Sequence, residues 1–193
     1  MTARDAPRYL TRDQAKRLAE IPNRRYPTGL RNHYLIRFLV GTGLRCNEAL
    51  AVKVTDLDLS ARRLTVTNGK RRRGERRARR RTVALSHDLT DALTLYLQKR
   101  PCPSLYLFST RTGGPLRDSY VRTMLARYGQ KAGIPERVHP HLLRHSYGTW
   151  LYDEGVPLTT IQSQLGHDCL TTTSIYAAAS GRRAAEDVAD LEF

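Results

Sequence analysis

Residues 139–151 read HPHLLRHSYGTWL, and the pattern predicts a helix over 140–154 that stops at Gly155-Val156-Pro157. His141 lies three residues before Arg144 and four before His145, so one face of that helix presents all three side chains. Such a face binds an anion or a metal. His139, His141 and His145 are close together and neutral imidazole is a common ligand, but no H-E-x-x-H pattern occurs and Arg144 beside the ligands repels a cation. No metal site is expected. A plain core role for the histidines fits poorly with Arg144, which is costly to bury without a partner.

Working outward, further helices are expected over about 118–132, 158–165 and 170–179, divided by Gly133-Ile134-Pro135 and Gly166-His167-Asp168. Towards the N-terminus, Thr11-Arg12-Asp13-Gln14 has the form of a capping box and opens a helix with Ala15, Leu18 and Ala19 on one side. Leu30, Tyr34, Leu35, Phe38 and Leu39 recur at helical spacing until Gly41-Thr42-Gly43, a break that delivers Arg45 to the start of a short helix ending near Leu50. Ser86 caps a helix carrying Leu89, Leu93, Tyr96 and Leu97, which Pro101-Cys102-Pro103 closes. Between these helices, residues 64–67 and 82–85 have the composition of strands flanking a hairpin. The fold class is therefore mainly α with a small antiparallel β-sheet (α+β), in one domain over the 193 residues.

Charge narrows the function. Thirty-three basic against eighteen acidic residues give a net charge of +15, which on a globular chain points to a polyanionic partner, with nucleic acid foremost. Residues 70–81 read KRRRGERRARRR and carry +8 of that charge. They predict a basic finger lying on a phosphate backbone through Arg71, Arg72, Arg73, Arg76, Arg77, Arg79, Arg80 and Arg81. The apolar stretch around 34–40 is short and interrupted by Arg37, too little to span a bilayer, and no secretory signal is visible at the N-terminus. A cytoplasmic, nucleoid-associated protein is expected, with no membrane partner. Cys46, Cys102 and Cys169 form no C-x-x-C pair and read as packing residues.

Four polar clusters fall at breaks between elements: TGLRCNEAL at 42–50, NGK at 68–70, the 139–151 segment, and LGHDCLTTTSIYA at 165–177. In this order and spacing they resemble the catalytic domain of the tyrosine site-specific recombinases, the phage-integrase and Xer family, from about residue 10 to 180. The resemblance implies that Arg45 and Arg144 clamp the scissile DNA phosphate, a task suited to planar, always-charged, bidentate guanidinium groups. It implies that His141 assists proton removal from the nucleophile and that His167 hydrogen-bonds a phosphate oxygen. Lys70 would donate a proton to the departing 5′ oxygen; it is the lone lysine of the basic block, and arginine cannot give up its proton. Tyr176 is the implied nucleophile among ten tyrosines, with Glu48 and His145 in supporting roles.

The implied partners are double-stranded DNA at specific sites and three further copies of the chain in a tetramer, with no cofactor. Residues 180–193, with Val188, Leu191 and Phe193, are a candidate subunit-exchange segment. The N-terminal core-binding domain typical of such enzymes is expected to be absent from this chain. Two other functions share parts of the pattern: a type IB topoisomerase or telomere-resolving enzyme, and a catalytically silent DNA-binding protein.

Overall fold

The computed structural model describes residues 9–67 and 80–166. Helix α1 (Arg12–Glu20) begins with the expected box: Thr11 Oγ1 accepts the Gln14 N–H at 3.1 Å and Gln14 Oε1 accepts the Thr11 N–H at 2.8 Å. Helix α2 (Pro27–Thr42) starts on a proline, whose missing N–H costs nothing there, and ends at Gly43 in the left-handed conformation, φ 60°. The chain turns at once into α3 (Cys46–Ala51) and a 3-10 turn over Val54–Asp56.

The sheet has the order β1-β2-β3, antiparallel throughout, with β1 at Leu57–Asp58, β2 at Arg63–Thr67 and β3 at Arg80–Ala84. Leu64 faces Val83 across the hairpin, and these two with Val66 turn inward while their neighbours face out, the period-2 pattern of a half-buried sheet. The sequence does not predict strand β1, because two residues are too short to leave a periodicity. Thr67 pairs with Arg80, so the hairpin ladder runs up to the last residue described on each side of 68–79.

Helix α4 (His87–Lys99) is capped by Ser86 Oγ, which accepts the Leu89 N–H at 3.2 Å. Then come α5 (Asp118–Lys131), α6 (Pro140–Asp153) and α7 (Leu158–Leu165), the last closed by left-handed Gly166, φ 67°. The helix expected over 170–179, the segment 180–193 and Cys169 lie outside the described residues. Among the described residues no helix is long and apolar enough to cross a membrane.

Helix α2 is the spine of the core. Leu35, Ile36, Phe38 and Leu39 are fully buried, and Tyr34, Tyr96 and Phe108 form an aromatic stack with centroids 4.9 and 5.3 Å apart. Fully burying each large apolar side chain is worth about 1.5–3 kcal/mol, so this centre fixes how α2 and α4 sit. Helix α6 packs along α2 and also holds the segment before α1: Ser146 Oγ accepts the Leu10 N–H at 2.9 Å, and Trp150 Nε1 donates to the Leu10 carbonyl at 3.0 Å. The end of α2, the start of α3, β3, the middle of α6 and the end of α7 are thereby brought to one place.

Candidate functional site

Arg144 enters this meeting point from α6 with 3% of its surface exposed. Its Nη1 donates to the Gly43 carbonyl at 2.8 Å and its Nη2 to the Leu165 carbonyl at 2.9 Å. Both carbonyls stand at helix C-terminal ends, of α2 and α7, where backbone acceptors are left over and the helix dipole is negative. A buried guanidinium is thus partnered by two helix ends.

Arg45 approaches from the start of α3. Its Nη2 donates to the Gly166 carbonyl at 3.2 Å and its Nη1 to Glu48 Oε1 at 3.2 Å, while its side chain stays 47% exposed. Glu48 also accepts the Arg45 backbone N–H through Oε2 at 3.1 Å, which follows from their three-residue spacing at a helix N-terminus. Two arginines 99 positions apart in sequence therefore meet around the same two residues, Leu165 and Gly166.

A third arginine joins them. Arg81, which the sequence reads as part of the DNA-facing finger, has a side chain 14% exposed that forms a two-pronged pair with Glu48, Nη1 to Oε1 and Nη2 to Oε2, each at 2.9 Å. Burial pushes the Glu48 carboxyl up, but the hydrogen bonds and charge of Arg81, with those of Arg45, hold it below its ordinary value. Arg45, Arg81 and Arg144 outnumber the one carboxylate among them by two charges. Of the three, Arg45 is the most exposed to solvent, at 47%.

The helix face expected to present His141, Arg144 and His145 together is divided by burial: His141 is exposed, Arg144 is inside and His145 is half-buried. The His145 ring meets Tyr9 edge-on, 6.4 Å between centroids; burial, then the neighbouring His141, lowers its pKa and favours the neutral ring. His139 caps α6, its Nδ1 accepting the Leu142 N–H at 3.2 Å, so its lone pair is used in the fold. Among the described residues no group of three or more His, Cys, Asp or Glu side chains could hold a metal ion. Lys70, His167, Tyr176 and the finger residues Arg71, Arg72, Arg73, Arg76, Arg77 and Arg79 lie outside the described residues. Arg80 is at the start of β3, paired with Thr67 and exposed.

Sequence reasoning missed the backbone half of this site. Gly43 and Gly166 are the left-handed caps that place the pocket's carbonyl acceptors, and a Cβ at either would collide: with Tyr147 at 2.4 Å in the first, with the Arg81 guanidinium at 2.6 Å in the second. The available signal was a glycine directly after each helical run, next to a cationic motif.

A family model described as the phage integrase family matches residues 8–183. The chain is 34% identical over 184 residues to tyrosine recombinase XerC of Bacillus licheniformis, covering 90% of this chain and 58% of that protein. It is 39% identical over 176 residues to tyrosine recombinase XerA of Thermococcus kodakarensis, again covering 90% and 58%. Among solved structures, the crystal structure of XerA recombinase matches with a TM-score of 0.78 at 30% identity, over 96% of this chain and 64% of that one. XerH site-specific recombinase bound to palindromic difH substrate matches with a TM-score of 0.75 at 28% identity, over 95% and 53%. The helices and three-stranded sheet are those of the tyrosine recombinase catalytic-domain fold. The chain spans 58% of the length of these curated relatives.

Proposed function

Because this chain belongs to the phage integrase family, we propose that it is a tyrosine recombinase that cuts and rejoins DNA at specific sites through a 3′-phosphotyrosyl intermediate. The observation that carries the proposal is the convergence of Arg45 and Arg144 on the ends of α2 and α7, in a pocket with excess positive charge. Guanidinium groups held in place before the phosphate arrives stabilise the charge of a pentacoordinate phosphorus without reorganising during the reaction.

In this mechanism the Tyr176 oxygen attacks the phosphorus and the bond from phosphorus to the 5′ oxygen breaks. His141 helps take the phenolic proton, Lys70 supplies a proton to the departing 5′ oxygen, and His167 hydrogen-bonds a non-bridging oxygen. One phosphodiester is exchanged for another, so no nucleotide hydrolysis is needed. A 5′-hydroxyl from a second duplex then attacks the phosphotyrosine and restores a phosphodiester on a new strand. Two rounds pass through a Holliday junction in a homotetramer that pairs two DNA sites, which places the protein in the cytoplasm on the nucleoid.

The test is a supercoiled plasmid carrying two copies of the DNA that flanks the gene. Deletion or inversion products support the proposal. Relaxation alone would assign a topoisomerase-like enzyme, and binding without strand breakage a silent DNA-binding protein.

A further inference from the structure

Arg81 belongs to the densest part of the basic block in sequence, and its side chain is turned to Glu48. Its two terminal nitrogens grip both oxygens of Glu48 at 2.9 Å, and Glu48 in turn holds both the backbone and the guanidinium of Arg45. Both partners are largely buried, with side chains 14% and 7% exposed, so the pair is little screened by solvent. The planar fork of arginine fixes the carboxylate plane as well as its position. The other side of the Arg81 guanidinium fills the space against Gly166, where a Cβ would stand 2.6–2.8 Å from its Cζ, Nη1 and Nε. That Nε is buried and has no hydrogen-bond partner among the described residues. Beside it, Gln164 Oε1 accepts the Ala84 N–H at 3.1 Å, a second tie between β3 and α7.

We infer that Arg81 is a positioning residue of the recombinase site: through Glu48 it sets the Arg45 guanidinium, and through its contact with Gly166 it registers the hairpin strand that follows Lys70 against the end of α7, from which the chain continues to His167 and Tyr176. The inference rests on the proposed recombinase reading and gives Arg81 a role different from phosphate contact. Arg81 is the second residue of β3 and grips Glu48, which holds Arg45, so this strand and the clamp share one frame. Errors of about 1 Å between such groups are enough to cost about 100-fold in rate.

The test uses the whole chain, a nicked duplex from the DNA flanking the gene, and single-turnover formation of the covalent adduct at saturating protein. Arg81→Met, Arg81→Lys, Glu48→Gln and the Arg81→Met/Glu48→Gln double variant are compared with wild type for burst rate, burst amplitude and affinity for the uncut duplex over a salt series. A positioning role predicts that Arg81→Met lowers the burst rate by about 10–100-fold, the usual effect of losing a partner that orients a site, at unchanged duplex affinity and salt slope. It predicts that the double variant is no slower than the slower single variant, and that Arg81→Lys recovers part of the rate. A phosphate contact would instead weaken duplex binding, lower the salt slope by about one and add to the Glu48→Gln effect, overturning the inference. A purely structural role would lower the amplitude and leave the rate of the folded fraction unchanged, which also overturns it. Absence of adduct from wild type itself overturns the recombinase reading and this inference with it.

Discussion

Gly43 and Arg144, 101 residues apart in sequence, meet at 2.8 Å through the glycine carbonyl and Arg144 Nη1. The glycine is there because α2 must end in a left-handed cap, and the cap turns its carbonyl towards α6. Ending a helix and holding a buried cation are thus one structural event.

This relationship makes Gly43→Ala a sensitive substitution. The alanine would have φ near 60° and a Cβ 2.4 Å from Tyr147 and 2.7 Å from Leu165. We expect a loss of about 2–4 kcal/mol in urea unfolding, from left-handed strain plus overpacking. Adduct formation should fall further than the folded fraction, because Leu165 also holds Arg144.

Arg144→Lys keeps the charge but cannot present two fixed donors to the Gly43 and Leu165 carbonyls together. Adduct formation should drop at least about 100-fold, the scale for removing one preorganised donor to a developing charge. Single-turnover cleavage checks this, and a reduction below about threefold, well short of that scale, would show that charge alone suffices.

The histidines set the acid side of the stability profile. Burial lowers the pKa of His33, His139 and His145, so the unfolded chain takes up protons before the folded one does. Stability is therefore full above the unfolded histidine value of about 6.5 and is lost as pH falls below it towards the folded values. His33 is the clearest case, since its Nδ1 lies 2.7 Å from the Ala19 carbonyl, an acceptor only, and must carry the proton of the neutral ring. His33→Asn keeps a donor without a titration; its urea midpoint should fall less than that of wild type between pH 7 and pH 5.

The basic block should act as a sequence-independent grip. Replacing Arg71, Arg72 and Arg73 with alanine is expected to weaken binding equally on specific and unrelated duplexes and to lower the slope of log K against log salt by about 0.9 for each phosphate no longer neutralised. Fluorescence anisotropy between low and high salt measures both, and an unchanged slope would remove the finger from the interface.

Much of the fold was legible because its helices carry local signatures. Thr11 with Gln14, Ser86, and the glycines after α2 and α7 mark helix ends within four residues of chain, and the alternation in β2 and β3 marks the hairpin. Arg45 and Arg144 were legible as candidates from their motifs, but their acceptors were not, because a backbone carbonyl has no sequence signature. The pairing of Arg81 was not legible for a related reason. A charged residue in a charged run reads as solvated until the fold supplies Glu48, 33 positions away, as its partner. The division of the α6 face, with Arg144 inside and His141 outside, likewise depends on α2 and α7 closing over one side of the helix.

The most direct measurement of the central claim is covalent trapping on a nicked duplex, followed by denaturation and peptide mapping of the adduct. The account predicts a protein–DNA link through a 3′ phosphate at Tyr176, formed by wild type and not by Tyr176→Phe, while both bind the uncut duplex equally. An adduct mapped to Tyr147, Tyr152 or any other tyrosine, or one that persists in Tyr176→Phe, would contradict it.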